Sequence, residues 1–237
     1  VVVTLLSLSL TLMLMSEDPE SLMGESAPSV EFSKERPAVL ELRIDAPILD
    51  RSASDTEVLL QRLFDEKPGL YLHTLRGALS RAKDDPRITR LDIDLNLLQG
   101  SIAEIAELRR ILEDFRSGGK SIHMALNDLG TWHYYLASAA DTITLNPTAG
   151  ATLTGPVFQL VYFGEALRKI GVDIEVVRFG KYKSAFEPFI QNDPSPATIE
   201  QYESMEESIR EHLVEVIAKG RGRDVNEVRS WFTQSLF

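Results

Sequence analysis

Apolar residues along this chain alternate between two periods, and each change of period marks a change of element. Val39-Leu40-Glu41-Leu42-Arg43-Ile44 predicts a strand, and Leu72, Leu75 and Leu79 mark one face of a helix ending near Asp84-Asp85-Pro86. Leu91-Asp92-Ile93-Asp94-Leu95 alternates cleanly as a second strand, and Ile102, Ile105, Leu108, Leu112 and Phe115 trace a helical stripe that Gly118-Gly119 stops. Residues 121–126 read as a third strand, 134–140 as a short helix of small residues, 141–145 as a fourth strand, and 164–170 as another short helix. Asp173-Ile174-Glu175-Val176-Val177 predicts a fifth strand. Asp193-Pro194-Ser195-Pro196 then opens a long helix, with Ser195 as N-cap and Pro196 in the first turn. Its predicted buried stripe is Ile199, Tyr202, Ile209, Leu213 and Ile217. Between the first strand and the first helix runs a loop from Pro47 to Pro68-Gly69, with a short helix expected around Leu59 to Phe64. Strands separated by helices imply parallel βαβ units with right-handed crossovers, so the fold class is α/β. The pattern alone does not separate a doubly wound sheet from a spiral of ββα units.

The two ends depart from this pattern. Val1 to Met15 are apolar apart from Thr4, Ser7, Ser9 and Thr11, and carry no charge. They are shorter than the roughly 20 residues that span a bilayer. We expect residues 1–16 to be part of a truncated N-terminal transmembrane anchor, with a secretory apolar region as the rival and a buried core helix third. Residues 17–37, rich in Glu, Ser and Pro, read as an exposed linker, and 38–237 as the folded part, cut short at its far end.

Composition narrows the function. With 237 residues the chain is long enough to bury a full core. A net charge of −11, with no offsetting basic run, argues against nucleic acid as a partner. The absence of cysteine removes disulfides and thiol chemistry. His73, His123, His133 and His212 show no metal-ligand spacing, and no Gly-rich phosphate loop is present, so neither metal nor cofactor is expected. Asp92 and Asp94 invite a paired-carboxylate reading, but alternation puts both opposite the leucines, where solvated charge or helix-end contacts are the commoner roles.

The chemistry concentrates at Gly180-Lys181-Tyr182-Lys183-Ser184-Ala185-Phe186-Glu187-Pro188-Phe189-Ile190. This segment closely resembles the one that carries the catalytic lysine in the signal peptide peptidase A (protease IV) family, peptidase family S49. These are membrane-bound serine peptidases with a Ser–Lys dyad and a ClpP/crotonase-like spiral of ββα units. The resemblance covers most of residues 38–233 and implies that Lys183 is the general base. A lysine base must be neutral, so its pKa must fall from about 10.4 towards neutrality, and apolar burial does this. Phe179, Tyr182, Ala185, Phe186 and Phe189 are candidates for that cover; the plain alternative is an amphipathic lysine with a wet tip. Ser184 offers a hydroxyl to the amine or its loop. Glu187 is expected to point away or to serve structure at the Pro188 turn, and Lys181 to have no chemical role.

Two family features are altered. Where single-domain members carry a stretch like Ala-Ser-Gly-Gly-Tyr-Tyr, this chain has Gly130-Thr131-Trp132-His133-Tyr134-Tyr135. Thr131 occupies the serine position, either as a helix N-cap or as a threonine nucleophile, and His133 reads as a partly buried structural histidine. Where those members have a Ser-Pro-Gly-Gly-like turn, this chain has Leu97-Leu98-Gln99-Gly100-Ser101, so an independent oxyanion hole is not expected. Both changes suit the amino-terminal repeat of the long, duplicated family form, which keeps the lysine while the other repeat supplies the serine.

The resemblance therefore implies a membrane-anchored serine endopeptidase that degrades cleaved signal peptides and other unfolded peptides. It implies a ring-like homo-oligomer such as a tetramer, at the bacterial inner membrane, with the catalytic domain on the periplasmic side. The rivals are a non-catalytic scaffold or adaptor repeat, an acyl-CoA enzyme of the same superfamily, and a self-contained Thr131–Lys183 hydrolase.

Overall fold

A computed structural model describes residues 2–4, 37–50 and 69–232. It divides into two compact units, Val1–Leu153 and Thr154–Phe237.

The first unit is built on a parallel five-stranded sheet of order β1-β2-β5-β6-β7. Its strands are β1 (Val2–Thr4), β2 (Ala38–Ile44), β5 (Ile88–Leu95), β6 (Ser121–Leu126) and β7 (Thr142–Leu145). Two very short strands, β3 (Ile48–Leu49) and β4 (Leu70–Tyr71), pair with each other outside this sheet. Alternation determines which face is dry. Leu40, Leu42 and Ile44 of β2, Leu91, Ile93 and Leu95 of β5, and Ile122, Met124 and Leu126 of β6 are all buried. The helices α1 (Leu72–Asp84) and α2 (Ile102–Ser117) bring Leu75, Leu79, Leu108, Leu112 and Phe115 to the same core. Such burial is worth about 1.5–3 kcal/mol per large side chain before entropy is counted. Ser101 caps α2: its Oγ accepts from the Glu104 backbone N–H, and the Glu104 carboxylate accepts from the Ser101 N–H at 2.7 Å.

The opposite face of the sheet is polar. Arg90 pairs with Asp92 at 2.6 Å, Arg43 approaches Asp94 at 3.7 Å, and His123 Nε2 lies 2.9 Å from Thr144 Oγ1. Asp92 and Asp94 are thus partners in half-exposed surface ion pairs, as their alternation predicts. Within the same unit Arg109 interrupts the apolar stripe of α2. It is 4% exposed, donates to Ser138 Oγ at 2.7 Å and pairs with Glu113 at 2.9 Å. Period alone did not announce this buried guanidinium.

In the second unit, α4 (Gly164–Lys169), α5 (Glu187–Ile190), α6 (Pro196–Arg221) and α7 (Val225–Trp231) are joined by turns and irregular segments; the short α3 (Thr131–Ala137) belongs to the first unit. α6 begins as its sequence predicts: Ser195 Oγ accepts from the Thr198 N–H at 3.3 Å, and Pro196 occupies the first helical position. Only the later part of its predicted stripe is dry, with Leu213 and Ile217 buried while Ile199 is 42% exposed. Two further expectations are corrected. Residues 173–177 are not a strand: the segment has no regular secondary structure and no strand partner among the described residues, and Val177 is largely exposed. Alternation makes a segment able to form a strand, but a ladder also needs a neighbouring edge with free N–H and C=O groups. Val2–Thr4, expected within a membrane-spanning helix, form instead a short strand that pairs with Val39–Glu41. Among the described residues no helix is long and apolar enough to cross a membrane. The remainder of the expected anchor, the linker up to residue 36 and the short helix around Leu59 to Phe64 lie outside the described residues.

Candidate active-site lysine and its setting

Lys183 lies on a turn whose geometry follows from its neighbours. Gly180 adopts φ of 92°, a left-handed conformation that suits glycine, and reverses the chain just before the lysines. The turn is tied to the first two turns of α6 at successive points. Tyr182 Oη donates to Glu200 at 3.0 Å, Ser184 Oγ approaches Gln201 Oε1 at 3.5 Å, and Glu187 binds Ser195 and Thr198. From the other side, the backbone of Phe163 donates to Pro188 O and that of Gly164 to Gln191 O. A Cβ on Gly164 would sit 2.4 Å from that Gln191 oxygen, so this close approach admits only glycine.

The two lysines of the turn differ. Lys181 is occupied: its ammonium pairs with Glu200 at 3.5 Å and lies 4.4 Å from the centre of the Tyr182 ring. Its pKa is raised, first by the interaction with Tyr182 and then by the Glu200 charge. Lys183 is exposed, and among the described residues its ammonium has no hydrogen-bond or ion-pair partner. Among the described residues the aromatic cover expected for it does not form. Phe179 is 89% exposed, and Tyr182, Phe186 and Phe189 are each more than two-fifths exposed. Ser184 holds the loop rather than the amine.

Glu187 is the hub of the site. It is 1% exposed, and its carboxylate accepts from Arg178 Nη1 at 3.0 Å, Ser195 Oγ at 2.8 Å, the Ser195 N–H at 3.1 Å and Thr198 Oγ1 at 2.6 Å. Burial pushes its pKa up, but the hydrogen bonds from Thr198, Ser195 and Arg178 more than offset this and hold it at about 2. Arg178 Nη1 also donates to the Lys183 carbonyl at 3.3 Å. The expectation of a structural Glu187 is therefore met and sharpened. Arg178 carries no sequence signal, because it meets its partners across irregular backbone, where no period marks a contact.

In the first unit, the positions that resemble the family's serine and oxyanion segments are filled with structure. The N-cap of α3 is Gly130, and Thr131 is the first helical residue rather than the cap. His133 Nδ1 accepts from the Gly130 N–H at 3.4 Å, and burial pushes the half-buried imidazole's pKa down, with Asp128 acting weakly the other way. Trp132 packs edge-on against Tyr135 at 5.6 Å. In the other segment, the Gln99 carbonyl accepts from the Ile48 N–H at 2.7 Å, a Cβ on Gly100 would meet Ile48 at 3.2 Å, and Ser101 caps α2. These backbone groups are committed to local packing.

Residues 114–237, just over half of the chain, match the family description Peptidase family S49, and the chain belongs to that family. It is 36% identical over 119 residues to "Protease 4" of Haemophilus influenzae, covering 50% of this chain and 19% of that protein. It is 38% identical over 132 residues to "Protease 4" of Salmonella typhi, covering 54% and 21%. A third relative, "Serine protease SPPA, chloroplastic" of Arabidopsis thaliana, is 26% identical over 169 residues, covering 71% and 25%. The matched stretch thus spans a fifth to a quarter of these relatives' length. Among solved structures, an enoyl-CoA hydratase/isomerase family protein from Silicibacter pomeroyi aligns over 81% of this chain and 92% of that one, at 15% identity and a TM-score of 0.34. A score that low carries no argument here.

Proposed function

We propose that this chain is the lysine-bearing repeat of a Ser–Lys signal peptide peptidase, with the ClpP/crotonase-like spiral of its family. The observation that carries the reading is the contrast within one turn: Lys181 is committed to Glu200, while Lys183 projects from a backbone tied down on both sides with its amine unengaged. In this reading Lys183 takes the proton of a serine supplied by the second repeat of the duplicated family form. The serine oxygen attacks a peptide carbonyl, the amine leaves with a proton, and the acyl-enzyme is released by water that Lys183 also activates. No cofactor or metal takes part. The apolar cover that a neutral lysine needs comes from the second repeat or from another subunit in this reading, because the described residues leave the lysine exposed.

Signal-peptide remnants and other unfolded peptides are the proposed substrates. A ring-like oligomer at the bacterial inner membrane, its catalytic domain facing the periplasm, belongs to the same proposal. Membrane attachment rests on the family resemblance, not on a helix among the described residues. The exposure of Lys183 also favours a second reading, a non-catalytic scaffold repeat in which the lysine stays charged. Turnover of a peptide ester by the full protein, wild type against Lys183→Ala, separates the two. Loss of at least about 100-fold in kcat with folding and assembly intact supports the base. Unchanged turnover sinks it.

A further inference from the structure

We infer that Glu187 and Arg178 form a clasp that positions Lys183 for proton transfer, an inference that rests on Lys183 being the base. A lysine amine at the end of four rotatable bonds is a poor base unless its backbone is fixed, because proton transfer needs hydrogen-bond reach to the serine. The turn that carries Lys183 has little apolar packing of its own, since Phe179, Tyr182 and Phe186 are exposed. A continuous set of hydrogen bonds holds it instead. Ser195 and Thr198 at the start of α6 donate to Glu187, Glu187 accepts from Arg178, and the same Arg178 nitrogen donates to the Lys183 carbonyl. Two donors meet each carboxylate oxygen, so the anion is fully used and Arg178 is directed by it.

If the hub served only to start α6, Ser195 and Thr198 would suffice, and an arginine reaching back to the lysine backbone would be superfluous. Arg178 is the member that links the helix to the base, and with a one-third exposed side chain it can be removed without opening a cavity. Glu187→Gln keeps the shape of the carboxylate but sets an amide donor against groups that are themselves donors.

The test uses the full protein and a peptide ester, with kcat, KM and the pH profile of kcat/KM measured for wild type, Lys183→Ala, Glu187→Gln, Arg178→Ala and Arg178→Lys. Folded fraction is checked by circular dichroism. The clasp predicts that Arg178→Ala and Glu187→Gln lower kcat by about 10- to 100-fold with KM within about 2-fold. It also predicts that the acid limb of the profile, which reports the base, moves, and that Arg178→Lys recovers part of kcat. Should Glu187→Gln fail to fold, Arg178→Ala decides alone. Wild-type kcat and an unmoved acid limb in the folded variants, alongside an inactive Lys183→Ala, overturn the clasp and leave the base standing. A loss of activity that tracks folded fraction, with the profile unmoved, also overturns it. An active Lys183→Ala overturns both readings.

Discussion

Among the described residues of Val1–Leu153 the strands and helices turn most of their large apolar side chains inward: Leu91, Leu108, Phe115 and Met124 have no exposed surface. In Thr154–Phe237 Val157, Val177 and Phe179 are each more than four-fifths exposed. The first unit builds its core from strands and helices whose apolar faces are set by local period. The second has a dry end around Leu213, Val214, Ile217 and Val228, while its order at residues 178–198 comes from a buried carboxylate and its donors. Apolar burial tolerates small adjustments of geometry and is blind to protonation. A hydrogen-bonded carboxylate fixes a turn with directional contacts and depends on its charge.

That contrast can be broken in three ways. The largest effect is expected for Phe115→Ala, which empties a fully buried site in the first unit and should cost about 3–5 kcal/mol in denaturant unfolding. A loss below about 1 kcal/mol would mean that the core is not closed as described.

Next comes acid. The folded pKa of Glu187 lies below its ordinary value of 4.5, so its contribution is fully present above the ordinary value and is lost as pH falls through about 2. The difference amounts to about 3 kcal/mol, and the unfolding midpoint of the second unit should fall between about pH 5 and about pH 2 more steeply in wild type than in Glu187→Gln. Identical slopes would show that the hub does not depend on charge.

The smallest effect is expected for Phe179→Ser. An 89% exposed side chain contributes little, and the chain's stability should change by no more than about 0.5 kcal/mol. A drop as large as that for Phe115→Ala would show that the segment is covered in solution.

The same division governs how much the chain declares before it folds. Strands β2, β5, β6 and β7, helices α1 and α2, and the Ser195 cap were legible because each depends on near neighbours in sequence: period for the first group, side-chain reach of three residues for the cap. Lys183 was legible through resemblance to a family segment. The exposure of its aromatic neighbours was not, because apolar composition says that a residue can be buried and not that a surface exists to bury it. The strand expected at 173–177 failed for a parallel reason, since alternation supplies a face but no edge to pair with.

Sequence by itself therefore determined the α/β class, the dry face of the sheet and the start of α6, properties carried by spacing along the chain, while the candidate base was named only through resemblance to a family segment. Tertiary structure alone decided that Lys181 is engaged and Lys183 is not, that Gly130 rather than Thr131 caps its helix, and that Arg178 joins Glu187 to the lysine turn. Those facts depend on where irregular backbone brings side chains together in space. Hydrogen bonds are satisfied by whichever donor arrives within about 3 Å at a workable angle, and no period in the sequence encodes that arrival.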